Sequence, residues 1–295
     1  MGKLRVYSFF TMIVVLFVLL QGSIVTKTGS GQGCGTTWPL CFGELIPYNP
    51  TLETIIEYTH RLISSFAGML VLVLSFWSWH KLSYIKEIKF FAALASLAII
   101  VQGLMGAGQV VFGQPPVIMA LHFGFSAVSL AAVFTIFLFT FENKLEPFKI
   151  NVSIYFRRYV IAIALYSYAV IYTGAFVKHM GAATACAGFP LCDGKFVLFN
   201  DGMVVFAQMF HRISGMFLSV LVVLLFIWIV VRYRGQRLLM WIGSAGVLLV
   251  IIQLLSGVGM VLTKNQNLTI GIIHALTISI LFSIYTYTIV LSRRK

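Results

Sequence analysis

The sequence predicts an all-α integral membrane protein with eight transmembrane helices, arranged as two tandem four-helix bundles. Three observations predict this class: the composition, eight long apolar runs and an internal repeat. Of the 295 residues, 60% are hydrophobic and 10% are charged, whereas soluble domains have about 25% charged residues. So few charged groups cannot cover a protein surface in water, and the chain is therefore expected to lie in a bilayer.

Each apolar run is long enough to form a membrane-spanning helix, which needs about 17–25 residues. The first run follows a basic start, but it is too long for a signal peptide and no small-residue cleavage site follows it. We therefore predict that it is retained as a helix. The eight predicted spans are 6–26, 57–79, 90–112, 118–141, 159–178, 206–231, 238–262 and 269–291.

The net charge of +13 comes from short loops between the spans and predicts orientation rather than nucleic-acid binding. Fifteen of the 21 Lys and Arg residues, Lys144 and Lys295 among them, lie on the side of both termini. Cytoplasmic loops carry such an excess of basic residues. We therefore expect a multi-pass plasma-membrane protein that contacts lipid, has cytoplasmic termini and binds no nucleic acid.

An internal repeat with an offset of 151 or 152 residues divides the chain into halves 1–145 and 146–295. Each half has an even number of spans, so both have the same orientation and a pseudo-twofold axis along the membrane normal is predicted. The matching residues are Gly22 and Gly174, Cys34 and Cys186, Cys41 and Cys192, His60 and His211, Arg61 and Arg212, Gln102 and Gln253, Gly106 and Gly257, and His122 and His274.

Four histidines, His60, His122, His211 and His274, recur at matching depths on the second and fourth helices of each half. A single histidine on an apolar helix is commonly a hydrogen-bonded packing residue. A repeated pair on facing helices instead favours cofactor binding in a bundle core. Two imidazoles suit axial ligation of haem iron, whereas zinc takes three or four clustered ligands. We therefore predict one haem site in each half.

Two arginines, Arg61 and Arg212, directly follow a predicted ligand in each half. Arginine pairs with carboxylates in a forked geometry, so both are candidates to bind haem propionates. The alternative is a helix-end arginine that extends its charged group toward water.

One acid distinguishes the halves, because Glu57 in the first half corresponds to Gln208 in the second. Position i−3 lies on the same helix face as position i, which places Glu57 near His60 and the predicted haem. A carboxylate there can act as a base, act as a nucleophile or stabilise developing positive charge. The alternative role is a favourable interaction with the helix dipole. We predict that the first half performs chemistry and that the second transfers electrons or binds haem structurally.

The four cysteines form two close pairs, Cys34/Cys41 and Cys186/Cys192, in the two predicted outer loops. The oxidising side of a membrane permits disulfides, so both pairs are candidate structural disulfides. For Cys34/Cys41 a redox or substrate-handling role remains open, because its loop leads into the helix that contains Glu57.

Several motifs in this order resemble the bacterial haem A synthase family of the CtaA type, over nearly the whole chain. The segments that carry the resemblance are 29–34 (GSGQGC), 38–41 (WPLC), 57–61 (EYTHR), 121–122 (LH), 188–192 (GFPLC), 210–212 (FHR) and 274–275 (HA).

The resemblance implies an oxidoreductase that converts the C8 methyl of haem O to the formyl of haem A, for haem-copper terminal oxidases. It implies haem b between His211 and His274, haem O or haem A between His60 and His122, and Glu57 as the catalytic residue. It also implies disulfides in both outer loops. The farnesyltransferase that makes haem O is an implied protein partner, and the electron acceptor is left unidentified.

Two other functions use the same features differently. A dihaem cytochrome b that carries electrons, for example from a quinol, would use the four histidines but give Glu57 no special role. A transporter built from parallel repeats should have polar residues near the membrane midplane. Here the titratable groups cluster toward one face instead.

Overall fold

Eight long helices make up the protein over residues 2–142, 148–197 and 202–294, which the computed structural model describes. All eight are long and apolar enough to cross a membrane, so the predicted all-α, eight-span class is confirmed. The predicted junction between the halves, Lys144 and Lys295 lie outside the described residues. The helices are α1 Gly2–Lys27, α2 Leu52–Lys81, α3 Ile88–Phe112, α4 Pro116–Phe139, α5 Ile154–His179, α6 Met203–Arg232, α7 Arg237–Leu262 and α8 Leu268–Arg293.

The helix starts follow local capping chemistry, and this changes one predicted boundary. The side chain of Thr51 accepts a hydrogen bond from the backbone N–H of Thr54 and caps α2, as threonine commonly does at this position. The helix therefore begins at Leu52, five residues before the predicted span. Glu57 thus lies within the helix and not at its entrance.

The chain forms two compact units, Met1–Leu145 and Glu146–Lys295. In the first unit each helix packs against the next one, and α1 also contacts α4. In the second unit α5 to α8 form the same closed ring of contacts. Consecutive antiparallel helices place the start of α2 and the start of α4 at the same end of the first unit, and the same holds for α6 and α8 in the second. The assignment of a different function to each half stays a prediction.

Apolar side chains with a seven-residue spacing are exposed on α3 and α7. These stripes consist of Phe90, Leu97, Leu104 and Val111 on α3, and of Trp241, Leu248, Leu255 and Leu262 on α7. Seven residues are close to two helical turns, so each stripe follows one helix face. Such apolar faces suit contact with lipid hydrocarbon chains, because these chains offer no hydrogen-bonding partners to polar side chains.

Each unit has a disulfide-bonded loop at the end where its even-numbered helices begin. Cys34 is bonded to Cys41, and Cys186 is bonded to Cys192. Both loops then close with a two-residue antiparallel bridge, from Cys41 to Glu44 and from Cys192 to Lys195. The repeat found in the sequence therefore extends to the local structure of the loops.

Candidate functional site

The four predicted ligands occupy equivalent positions in the two units. His60 and His211 each lie eight residues beyond the first residue of their helices, Leu52 and Met203. His122 and His274 each lie six residues beyond the starts of α4 and α8. At 1.5 Å per residue these positions are roughly 9–12 Å along the helix axis. The histidines of each unit therefore lie at similar depth, near the end that carries the disulfide loop.

In the second unit the two imidazole rings lie opposite each other. The ring centroids of His211 and His274 are 6.3 Å apart, and the ring planes are inclined by 76°. Bonds of about 2 Å from a metal to one nitrogen of each ring would place the two centroids roughly 6 Å apart. The spacing thus fits one iron ion bound between the rings. This pair fits the axial ligation that the sequence predicts for a haem.

A glycine on the preceding helix lies against each of the four histidines. A Cβ atom added at Gly22 would lie 3.4 Å from Cε1 of His60, and one added at Gly174 would lie 2.8 Å from Cε1 of His211. The other two contacts have the same form: a Cβ at Gly106 would lie 3.3 Å from Cε1 of His122, and one at Gly257 would lie 3.3 Å from Cε1 of His274. The absence of a side chain at these glycines therefore makes room for the imidazole rings.

Gly174→Ala is expected to displace the ring of His211, because the new methyl group would lie within 3 Å of it. Overpacking of this kind costs about 1–3 kcal/mol, and here the ring is the group that must move. We expect a lower content of bound haem in the purified protein and a changed absorption spectrum. Gly215→Ala in α6 is the matched control, since a Cβ there meets no atom within 4 Å. Equal haem content in the two variants would contradict the expectation.

The hydrogen bonds of the histidines differ between the units. Nδ1 of His211 lies 2.8 Å from Oγ1 of Thr173, and Nδ1 of His274 lies 3.0 Å from Oγ of Ser256. Nδ1 of His60 and of His122 is buried and has no hydrogen-bond partner among the described residues. The sequence predicted the four histidines but not these hydroxyl partners.

Glu57 is 3% exposed and both of its carboxylate oxygens accept hydrogen bonds. Oε2 accepts from the backbone N–H of Cys34 at 2.8 Å. Oε1 accepts from Nε of Arg61 at 3.0 Å and also from Nη2 of that residue. The carboxylate therefore joins α2 to the disulfide loop and forms an ion pair with Arg61. This contact with the loop was not foreseen from the sequence.

The two arginines fasten the loops to the helices. Nη1 of Arg61 donates to the carbonyl oxygens of Thr37, at 2.7 Å, and Leu40, at 3.2 Å. Arg212 donates to the carbonyl oxygens of Gly188 and Cys186, both at 2.9 Å. These contacts provide a third role besides the two considered from the sequence. Binding of haem propionates by the arginines stays a prediction.

The difference between Glu57 and Gln208 changes the hydrogen bond that joins each helix to its disulfide loop. In the first unit Glu57 accepts from the Cys34 N–H. In the second unit the amide nitrogen of Gln208 donates to the carbonyl oxygen of Ala183 at 2.9 Å. The Nε atom of Arg212, which has no acid at the corresponding position, is buried without a partner among the described residues. Among the described residues, the carboxylate beneath a disulfide loop is therefore found in the first unit, at Glu57.

Within the part of the chain that the structure describes, no three His, Cys, Asp or Glu side chains are grouped as a metal-binding cluster. The histidines are instead arranged in pairs. His80 belongs to neither pair: it is exposed on α2, with Nδ1 2.9 Å from the carbonyl oxygen of Phe76.

The fold defines the class: a multi-pass membrane protein built from two four-helix units, each with a histidine on its second and fourth helices. The family model described as "COX15-CtaA: Cytochrome oxidase assembly protein" matches residues 5–286. The chain belongs to the COX15-CtaA family, and the resemblance found in the sequence motifs is confirmed.

Curated relatives cover nearly the whole chain. A protein of Alkalihalophilus pseudofirmus named "Heme A synthase" is 50% identical over 293 residues, which are 99% of this chain and 98% of the relative. A protein of Shouchella clausii with the same name is 50% identical over 96% of this chain and 95% of its own length. A third, from Bacillus licheniformis, is 40% identical over 96% of this chain and 94% of its own length.

Proposed function

We propose that this chain catalyses the oxidation of the C8 methyl group of haem O to the formyl group of haem A. The observation that carries the proposal is the difference between two repeat-related histidine sites: the buried carboxylate of Glu57 lies three residues before His60 on α2, and the amide of Gln208 takes that position before His211 on α6. The names of the full-length relatives support the same activity. With water as the oxygen source, the reaction R–CH₃ + H₂O → R–CHO + 4H⁺ + 4e⁻ releases four electrons and four protons.

The first unit is assigned to the substrate and the second to the cofactor. His60 and His122 would hold haem O while its methyl group is oxidised, and His211 and His274 would hold haem b. When bound, haem b supplies one-electron redox chemistry, and the protein supplies binding and orientation. The 6.3 Å spacing of the His211 and His274 rings supports bis-histidine binding in the second unit.

Glu57 is the proposed catalytic residue of the first unit. Its carboxylate can accept a proton released from the substrate and can stabilise positive charge that develops near the ring. The N–H of Cys34 and the guanidinium of Arg61 hold both oxygens in fixed positions, as an active-site group requires. Gln208 cannot take this role because an amide does not accept a proton at neutral pH.

The remaining assignments concern the surroundings of the site. The distribution of basic residues supports cytoplasmic termini and disulfide loops on the outer face of the plasma membrane. Haem O is the proposed substrate, and the farnesyltransferase that produces it is a proposed protein partner. An electron acceptor outside the chain must remove the four electrons.

The test is co-expression with a haem O synthase in a host that makes neither haem O nor haem A, followed by extraction and chromatography of the haems. We expect haem B together with haem O and haem A in the purified protein. Two equivalents of haem B with no haem A formed would contradict the proposal and favour a dihaem cytochrome b. The matched control is the same host with the synthase but without this chain.

A further inference from the structure

The hydroxyl group beside His211 determines which ring nitrogen carries the proton. A threonine hydroxyl has a single proton, and the hydroxyl of Thr173 donates it to the carbonyl oxygen of Val170 at 2.9 Å. The 2.8 Å contact between this hydroxyl and Nδ1 of His211 must then use a proton on the imidazole. His211 therefore has its proton on Nδ1, and Nε2 carries the lone pair that a metal needs.

His274 reaches the same state through different groups. Its Nδ1 lies 3.1 Å from the carbonyl oxygen of Gln253, which can only accept. It also lies 3.0 Å from Oγ of Ser256, whose hydroxyl donates to that same carbonyl oxygen at 3.0 Å. Nδ1 is therefore the protonated nitrogen. Nε2 lies 3.0 Å from the side-chain amide nitrogen of Gln253, a donor, which again places the lone pair on Nε2.

The first unit has no hydroxyl at either position. Thr173 and Ser256 each directly precede the glycine that contacts the neighbouring histidine. The residues that directly precede the corresponding glycines, Gly22 and Gly106, are Gln21 and Met105. The amide nitrogen of Gln21 donates to Thr59 at 3.2 Å, while Nδ1 of His60 and His122 has no partner among the described residues. Within the described part of the chain, no hydroxyl group therefore fixes the proton of either ring, and the neighbouring polar group at His122 is the backbone of Gln102 alone.

We infer that Thr173 and Ser256 are positioning residues that fix His211 and His274 in the iron-binding tautomer, so that the second unit retains its haem while the first unit releases its haem readily. A partner on the second ring nitrogen orients a ligating histidine and raises its basicity. The first unit must exchange substrate for product, so weaker fixation of its histidines suits that task. The inference rests on the proposed function for the assignment of cofactor and substrate to the two units.

The experiment uses the full-length protein purified with haem, as wild type, Thr173→Val and Ser256→Ala. Excess apomyoglobin takes up released haem, and the rate of transfer is read from the absorption spectrum. Loss of an outer partner of a metal ligand typically costs about 10–100-fold in affinity, so we expect haem b to be released roughly 10–100-fold faster from either variant. The midpoint potential of haem b should also rise, because a less basic imidazole favours ferric iron less.

Two sets of controls separate positioning from general damage. Ser167→Ala removes a buried hydroxyl of α5 that bonds the carbonyl oxygen of Ile163, and it should leave both readouts unchanged. Thr173→Ser keeps the hydroxyl and should restore slow release and the wild-type potential. If Thr173→Val does not fold, the contrast between Ser256→Ala and Ser256→Thr gives the same comparison.

The reverse exchange tests the first unit. Gln21→Thr combined with Met105→Ser would place hydroxyls beside His60 and His122, and we expect haem to leave that unit more slowly. Wild-type release rates and potentials in Thr173→Val and Ser256→Ala would overturn the inference while leaving the proposed function intact. A wild-type protein that binds no haem b in the second unit would overturn both.

Discussion

Replacing Glu57 with glutamine is expected to abolish haem A formation while haem remains bound to the protein. The exchange keeps the size of the side chain and reproduces the residue found at position 208 in the second unit. It removes the one buried carboxylate that joins α2 to the loop containing Cys34. General acid–base groups contribute about 10²–10⁴-fold to a rate, so haem A should fall by at least about 100-fold.

The measurement is the ratio of haem A to haem O in extracts of the purified variant, with total haem determined separately. Glu53→Gln is the matched control, because Glu53 lies one helical turn earlier on the same helix and is exposed. It should have wild-type haem A. Wild-type haem A in Glu57→Gln would refute a catalytic role for this residue.

Glu57 also attaches the loop that contains Cys34 to α2, and this structural role must be distinguished from its proposed catalytic role. The glutamine oxygen can still accept from the Cys34 N–H, but the ion pair with Arg61 is lost. Removing one partner of a buried ion pair can cost about 3–5 kcal/mol. Limited proteolysis of the loop at 28–51 reports on its attachment to α2. Loss of haem A with an unchanged cleavage pattern would assign the effect to the carboxylate itself.

Alanine at His211 or His274 is expected to remove haem b from the second unit. Loss of an outer partner alone costs about 10–100-fold in metal affinity, and loss of a ligand removes a bond to the metal itself. We therefore expect affinity to fall by at least about 100-fold, so that haem b is lost during purification. Alanine at His60 or His122 should instead leave haem b in place and stop haem A formation.

The readout is the haem b content per protein, together with the haem A content. His80→Ala controls for the loss of an imidazole, because His80 is exposed on α2. It should leave both quantities unchanged. Equal loss of haem b from His60→Ala and His211→Ala would contradict the division of roles between the units.

The sequence was sufficient for features that depend on period and composition. Apolar runs give the spans, since a bilayer requires about 20 apolar residues per helix. The repeat offset gives the equivalence of His60 with His211 and of His122 with His274. The predicted start of α2 is five residues too late, because Glu53 and Thr54 interrupt the apolar pattern in the turn that Thr51 caps.

Side-chain partners were harder to predict, because they depend on the rotation of one helix against its neighbour. Thr173 and Gln253 reach their histidines from adjacent helices, and no spacing within one helix indicates this. The arginines illustrate the same limit. Their position after a histidine is visible in the sequence, but their bonds to Thr37 and Gly188 depend on how the loops fold. A glycine conserved in both copies of the repeat, such as Gly22 with Gly174, was the available signal for the ring contacts.

The glycine–histidine contacts have a consequence for how the protein assembles. In every case the glycine and the histidine belong to two consecutive helices: α1 and α2, α3 and α4, α5 and α6, or α7 and α8. Each hairpin of two consecutive helices therefore contains both a histidine and the glycine against which its imidazole ring packs. The direction of an imidazole can thus be established when a hairpin enters the membrane during synthesis, before the second hairpin closes the bundle around the haem.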